Sequence, residues 1–134
     1  MKDKLKALLA HSYVPYSHFP VACIIMTNDN QEWLGVNVEN ASYKAGLCAE
    51  QNALAQVLTH GYKKNDIKEV FLLAKTDKII KPCFLCRQLL SEYLPAAVKI
   101  NCYNQEGMIK TYQVQELCPL PFGQADLEGD NDEK

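Results

Sequence analysis

Three cysteines and one glutamate stand out by type and spacing. Cys48 and Glu50 lie in "CAEQN", and Cys83 and Cys86 in "PCFLC". A C-x-x-C pair alone is ambiguous, shared by zinc sites and redox dithiols. The flanks narrow the choice. Pro82 suits the first turn of a helix, which puts both sulfurs near a helix start, where outward N–H groups stabilise thiolates. Cys48 also falls at a helix start, so two helix N-termini facing one another could present three sulfurs to one cation. Three protein ligands and an open position are the pattern of a catalytic zinc; structural zinc usually has four protein ligands. Glu50, two residues past Cys48, is poorly placed to be a fourth ligand but well placed to exchange a proton with water at the metal. Alone, Glu50 would read as an acid favoured by the helix dipole. Beside three such cysteines, the proton-transfer reading is the stronger.

These residues need elements to hold them. "KDKLKALLAHSY" places Leu5, Leu8 and Leu9 at helical spacing. "PYSHFP" is a proline-bounded loop, in which His18 packs the loop and is not a ligand. "VACIIM" and "EWLGVNV" read as paired strands around the turn "TNDNQ". "CAEQNALAQVLTHG" is a helix, with an apolar stripe through Ala49, Ala53, Val57, Leu54 and Leu58 and a stop at Gly61. "EVFLLAK" is a central strand, and "PCFLCRQLLSEYLP" the second cysteine-bearing helix. "VKINCY" and "MIKTYQV" are strands separated only by "NQEG", too short a link for a parallel crossover, so they form an antiparallel hairpin. "VQELCPLPF" holds a last short helix. Alternating α and β units around one sheet indicate a layered α/β domain. Residues 1–134 read as a single domain, with 126–134 a flexible acidic tail.

Composition excludes several function classes. The chain has 134 residues, 48% hydrophobic, with a net charge of −2. No broad basic field is available for nucleic acid or an anionic membrane. No stretch approaches the roughly 20 apolar residues of a membrane span, and the N-terminus lacks the apolar core of a signal peptide. A cytoplasmic protein is expected, so the six cysteines do not read as a disulfide framework. Cys23 and Cys102, inside apolar strand runs, read as core, and Cys118 as structural.

"CAE" followed by "PCFLC" resembles the zinc deaminase signature of a His or Cys before x-Glu, then P-C-x-x-C. The resemblance extends over almost the whole chain. "YVPYSHFPV" is similar to the leading loop and first strand of the small homotetrameric cytidine deaminases, "GVNVENASY" to their ribose-binding segment, and "VQELCPLPFGQADL" to their C-terminal segment. It implies a three-layer cytidine-deaminase-like α/β fold: a five-stranded mixed sheet, an antiparallel final hairpin, and helices on both faces. It implies one Zn²⁺ per subunit on Cys48, Cys83 and Cys86, with Glu50 as proton shuttle. The implied reaction converts cytidine and 2′-deoxycytidine to uridine and 2′-deoxyuridine by zinc-activated hydroxide attack at C4, releasing ammonia in pyrimidine salvage.

By the same resemblance, the Ala49 backbone and the Lys81 carbonyl meet the base edge, Phe19 packs by the base, and Asn37 and Glu39 grip the ribose. Phe122 reaches in from a neighbouring subunit and Tyr43 contributes across an interface, which requires an oligomer; the resemblance implies a homotetramer with shared active sites. Two alternatives remain at this stage. One is a deaminase of another aminopyrimidine nucleoside such as blasticidin S; the other is a zinc-binding assembly module without catalysis. Three departures from the pattern motivate the second: Ala22–Cys23 for a small pair, Phe84–Leu85 for a small pair, and Gln51 for arginine. Three thiolates leave one net negative charge on the zinc site. Gln51 and Arg87 are the side chains expected to draw it off.

Overall fold

The computed structural model describes residues 1–129. Five strands form one mixed sheet: β1 (Val21–Thr27), β2 (Glu32–Val36), β3 (Ile67–Ala74), β4 (Lys99–Tyr103) and β5 (Ile109–Gln113). Their spatial order is β2-β1-β3-β4-β5. Strand β1 pairs antiparallel with both β2 and β3, β3 pairs parallel with β4, and β4 antiparallel with β5. The central strands β1 and β3 are apolar and buried almost throughout, as expected of strands covered on both faces.

Helix α1 (Lys2–Leu9) covers one face, sinking Leu5 among Ala22, Ile24, Phe71, Leu73 and Tyr103. Helices α2 (Ala49–Thr59) and α3 (Phe84–Tyr93) cover the other. There Ala53, Leu54, Val57 and Leu90 pack on Cys23, Ile25, Val70, Leu72 and Cys102. The result is the expected three-layer α/β fold with helices on both faces. Two short helices complete it, α4 (Val114–Leu117) and α5 (Gln124–Glu128).

The final hairpin is antiparallel, as the short link requires. Asn104 closes it, its Oδ1 accepting the N–H groups of Glu106 (3.1 Å) and Met108 (2.9 Å), while Gly107 takes a left-handed φ of 89°. The expected elements are all present, with three local differences. Strand β2 stops at Val36, because Val38 leaves the β1 ladder to bridge Tyr13 and Leu47. Leu58 of the α2 stripe is exposed. The segment expected to be a tail from 126 begins inside α5; residues 130–134 lie outside the described residues.

Candidate metal centre and active site

The site lies at the end of the sheet where Ala74, the last residue of β3, pairs with Val21, the first of β1. The N-termini of α2 and α3 converge over that end, a common ligand position outside the carboxyl end of a strand. Cys48 is the N-cap of α2 and Cys83 the N-cap of α3. Pro82 therefore stands just before the cap, not in the first turn, and Cys86 occupies the third helical position. The spacing still serves, because N-cap and third position lie on one side of the helix start. Thiolates there face unsatisfied N–H groups.

The Sγ atoms of Cys48, Cys83 and Cys86 all lie within 4.8 Å of one another. Zinc–sulfur bonds of about 2.3 Å in a tetrahedron put sulfurs about 3.8 Å apart, so this triangle closes around one ion with only a small shift. Cys86 is buried, Cys48 half-buried and Cys83 exposed. A hydrogen bond from the Cys86 thiol holds Cys48 down to about 7, and the same bond raises Cys86. A proton shared between sulfurs is the arrangement a cation displaces. Among the described residues the cluster has three members, the donor set of a catalytic zinc. The three sulfurs fit one Zn²⁺ per subunit.

Glu50 belongs to the first turn of α2 and is only 5% exposed. Burial raises its carboxyl above the ordinary value. It lines a cavity of about 190 Å³ with the three cysteines, Phe19, Val21, Asn37, Ala49, Leu72, Ala74, Ile80, Lys81 and Pro82. The expected base-edge residues Ala49 and Lys81, the ring Phe19 and the amide Asn37 are thus brought together with the metal cluster. Cys23, Leu72 and Cys102 sit in register across β1, β3 and β4. Burial lifts Cys23 well above its ordinary value and Cys102 to about 11, which keeps both as neutral core thiols.

Asn37 and Glu39 do not share one cavity. The Asn37 carboxamide extends the β1 ladder: its Oδ1 accepts the Val21 N–H at 2.9 Å and its Nδ2 donates to the Phe19 carbonyl at 2.9 Å. Glu39 lies past the end of β2, in a second cavity of about 320 Å³ with Tyr16, Ser17, Asn40, Tyr43 and Gly46. Its Oε1 accepts the N–H groups of Tyr16 (3.0 Å) and Ser17 (3.1 Å), shaping the loop that leads to Phe19. Hydrogen bonding, first of all from the Ser17 side chain, lowers the Glu39 carboxyl. Tyr43 is 79% exposed and meets Tyr16 edge-on.

Phe122 lies outside the cysteine cavity of its own chain. Gln88 of α3 clamps its backbone, donating Nε2 to the Phe122 carbonyl (2.7 Å) and accepting its N–H (3.1 Å), and the ring is 56% exposed.

Gln51 and Arg87 differ from expectation. Their described hydrogen bonds go to backbone, not sulfur. Gln51 Oε1 accepts the Cys48 N–H at 2.7 Å, drawn there by an orphan donor at the helix start. Arg87 Nε donates to the Pro82 carbonyl (2.7 Å), its Nη1 to the Leu117 carbonyl (3.3 Å), and its guanidinium stacks on Phe84 at 4.3 Å. Both side chains hold the backbone that carries the ligands.

Sequence reasoning missed what seats α2. Gly35 of β2 lies under its first turn, and a Cβ there would be 2.3 Å from the Ala49 carbonyl oxygen and 2.5 Å from the Ala53 nitrogen. A glycine inside a strand often marks such a close backbone approach, so the signal was present. Asn52 and Gln56 of α2 donate to the Val36 and Leu34 carbonyls.

A cysteine triad over a sheet end, with a buried carboxyl beside it, has the donor set and the acid–base group of a catalytic zinc centre. The chain belongs to the family described as the cytidine and deoxycytidylate deaminase zinc-binding region, whose profile matches residues 1–102. It is 38% identical over 114 residues to a cytidine deaminase of Mycoplasma genitalium, covering 85% of this chain and 86% of that one. It is 36% identical over 116 residues to one of Halalkalibacterium halodurans, covering 87% and 86%. The crystal structure of cytidine deaminase from Burkholderia pseudomallei superposes with a TM-score of 0.85 at 33% identity, covering 90% of this chain and 94% of that one. Among the described residues, no helix is long and apolar enough to cross a membrane.

Proposed function

We propose that the protein deaminates cytidine and 2′-deoxycytidine to uridine and 2′-deoxyuridine with release of ammonia, as a cytoplasmic enzyme of pyrimidine salvage. The observation that carries this reading is the buried Glu50 carboxyl lining one cavity with a three-cysteine cluster that fits zinc. When bound by Cys48, Cys83 and Cys86, zinc supplies a Lewis acid that brings the pKa of water to about 7. Glu50 takes the proton of the attacking water and delivers it to ring N3, which makes C4 electrophilic. As the water oxygen, now bonded to C4, becomes the carbonyl, Glu50 carries that oxygen's remaining proton to the exocyclic nitrogen, the C4–N bond breaks and ammonia leaves. A carboxyl raised by burial suits both transfers near neutral pH. The Ala49 backbone and the Lys81 carbonyl read the base edge, and Phe19 packs on the ring. Gln51 and the Arg87 charge tune the metal through the backbone they hold.

At about 190 Å³ the cavity is smaller than the roughly 300–1,000 Å³ of common ligand pockets, so it suits the base and not a whole nucleoside. The ribose extends past Asn37 toward Glu39. Completion by other subunits is the natural closure, and the protein acts as a homotetramer. The clamped, exposed Phe122 and the exposed Tyr43 are the rings offered to neighbours. The relatives named above are cytidine deaminases, which favours this reading over a blasticidin-type deaminase or a non-catalytic zinc module.

Substrate class is tested by giving the zinc-loaded protein cytidine, deoxycytidine, deoxycytidylate and blasticidin S in parallel and measuring ammonia. Turnover of both nucleosides is expected. Turnover of deoxycytidylate or blasticidin S alone would overturn the assignment.

A further inference from the structure

Strand β2 is an edge of the sheet, and its outward carbonyls need partners. Asn37 donates its N–H to the Val21 carbonyl at 3.2 Å, so the facing pairs Ala22–Val36 and Ile24–Leu34 are the non-hydrogen-bonded ones. The carbonyls of Leu34 and Val36 therefore point off the edge. Helix α2 takes both: Asn52 Nδ2 donates to Val36 at 2.7 Å and Gln56 Nε2 to Leu34 at 2.6 Å. The spacings match. Four helical residues rise about 6 Å and two strand residues about 6.8 Å, so side chains one helical turn apart meet alternate carbonyls of the strand. Gly35, between the two carbonyls, lets the helix backbone come close enough for both bonds.

The two bonds are not equivalent in place. Asn52 is two residues past Glu50, and its N–H closes the first turn on the Cys48 carbonyl at 3.1 Å. The carbonyl it grips belongs to the same peptide unit as the Asn37 N–H. Asn37 in turn pins Val21 and Phe19 along the cavity wall. One side chain thus ties the turn bearing Cys48 and Glu50 to the wall bearing Asn37 and Phe19.

We propose that Asn52 is a positioning residue that sets the catalytic turn of α2 against the Asn37 wall of the cavity, with Gln56 as a second point that seats the helix. The proposal rests on the deaminase reading above. Loss of the Asn52 bond lets the turn shift against the wall, moving Glu50 relative to substrate and Cys48 relative to the two sulfurs of α3. A misplacement of about 1 Å can cost on the order of 100-fold in rate.

The test compares Asn52→Ala with Gln56→Ala in the full chain, reading Tm, kcat with cytidine, and the visible spectrum of the cobalt-substituted protein. Asn52→Ala should lower kcat by roughly 10- to 100-fold and alter the cobalt spectrum at full metal occupancy. Gln56→Ala should lower Tm by a similar amount while leaving kcat within about twofold and the spectrum unchanged, since its bond lies one turn farther from the site. If Asn52→Ala does not fold, Asn52→Asp keeps the shape but loses the donor, and the same readings apply. An unchanged spectrum and kcat in the Asn52 variant, or equal changes in the two variants, would overturn the proposal. Should the parent protein not turn over cytidine, the functional reading fails, while the cobalt spectra still decide the positioning claim.

Discussion

Replacing Gly35 with alanine adds one methyl group at the point where helix and sheet come closest. The new Cβ would lie 2.3 Å from the Ala49 carbonyl oxygen, 2.5 Å from the Ala53 nitrogen and 3.0 Å from the Ala53 Cβ. Optimal non-bonded separations are about 3.5–4.0 Å, so the contact is short by roughly 1 Å. Two of the three atoms are backbone, and no rotamer change relieves them. Helix α2 must lift, or β2 must bend. A lift of about 1 Å would stretch the Asn52 and Gln56 bonds, now 2.7 Å and 2.6 Å, beyond about 3.2 Å, where hydrogen bonds weaken. Overpacking costs about 1–3 kcal/mol. At this chain length that lowers Tm by roughly 3–12 °C. The larger effect falls on the site. Cys48 and Glu50 ride on the displaced turn, so kcat/KM should drop by on the order of 100-fold. The assay is steady-state turnover of cytidine at saturating zinc, with zinc content and Tm measured on the same sample. A Gly35→Ala variant with parental Tm and kcat/KM would show that the seating of α2 does not depend on this contact.

Glu50→Gln should keep zinc and fold while losing about 10²–10⁴ in kcat, since the amide cannot relay a proton. Near-normal turnover, or loss of zinc measured by metal analysis, would remove Glu50 from the proton-transfer role. Phe122→Ala should raise KM with zinc retained, on the roughly 1–3 kcal/mol scale of base–aromatic stacking. An unchanged KM would take the ring out of the site. Gln51→Arg should lower stability by about 1 kcal/mol in denaturant unfolding, because arginine offers no acceptor to the Cys48 N–H held at 2.7 Å. Unchanged unfolding would return Gln51 to a direct role at the sulfurs.

The features legible in the sequence were those with short-range causes. Apolar runs marked β1 and β3, and the link "NQEG" dictated the antiparallel β4–β5 hairpin. Cys48, Cys83 and Cys86 were readable because their spacing repeats a pattern with a chemical reason, and the triangle of sulfurs follows it. Features set by tertiary approach were harder to read. That β1 sits between β2 and β3 depends on pairing across long separations. Gln51 and Arg87 looked like donors to sulfur, yet nearer backbone groups at the two helix starts captured them. Asn37 and Glu39, two residues apart, were expected to grip the ribose together; the chain turns away at Val38 and gives each its own cavity. Asn52 and Gln56 show the i, i+4 spacing of a helix face, but only the edge position of β2 gives that spacing a purpose.

The most direct measurement is the conversion of cytidine by the full chain loaded with one zinc, followed by loss of cytosine absorbance and by mass of the product. The expected result is uridine and ammonia in equal amounts, with turnover lower by about 10²–10⁴ in Glu50→Gln at undiminished zinc content. Unchanged cytidine at full zinc occupancy would contradict the central claim that the cysteine triad and Glu50 form a hydrolytic deaminase site.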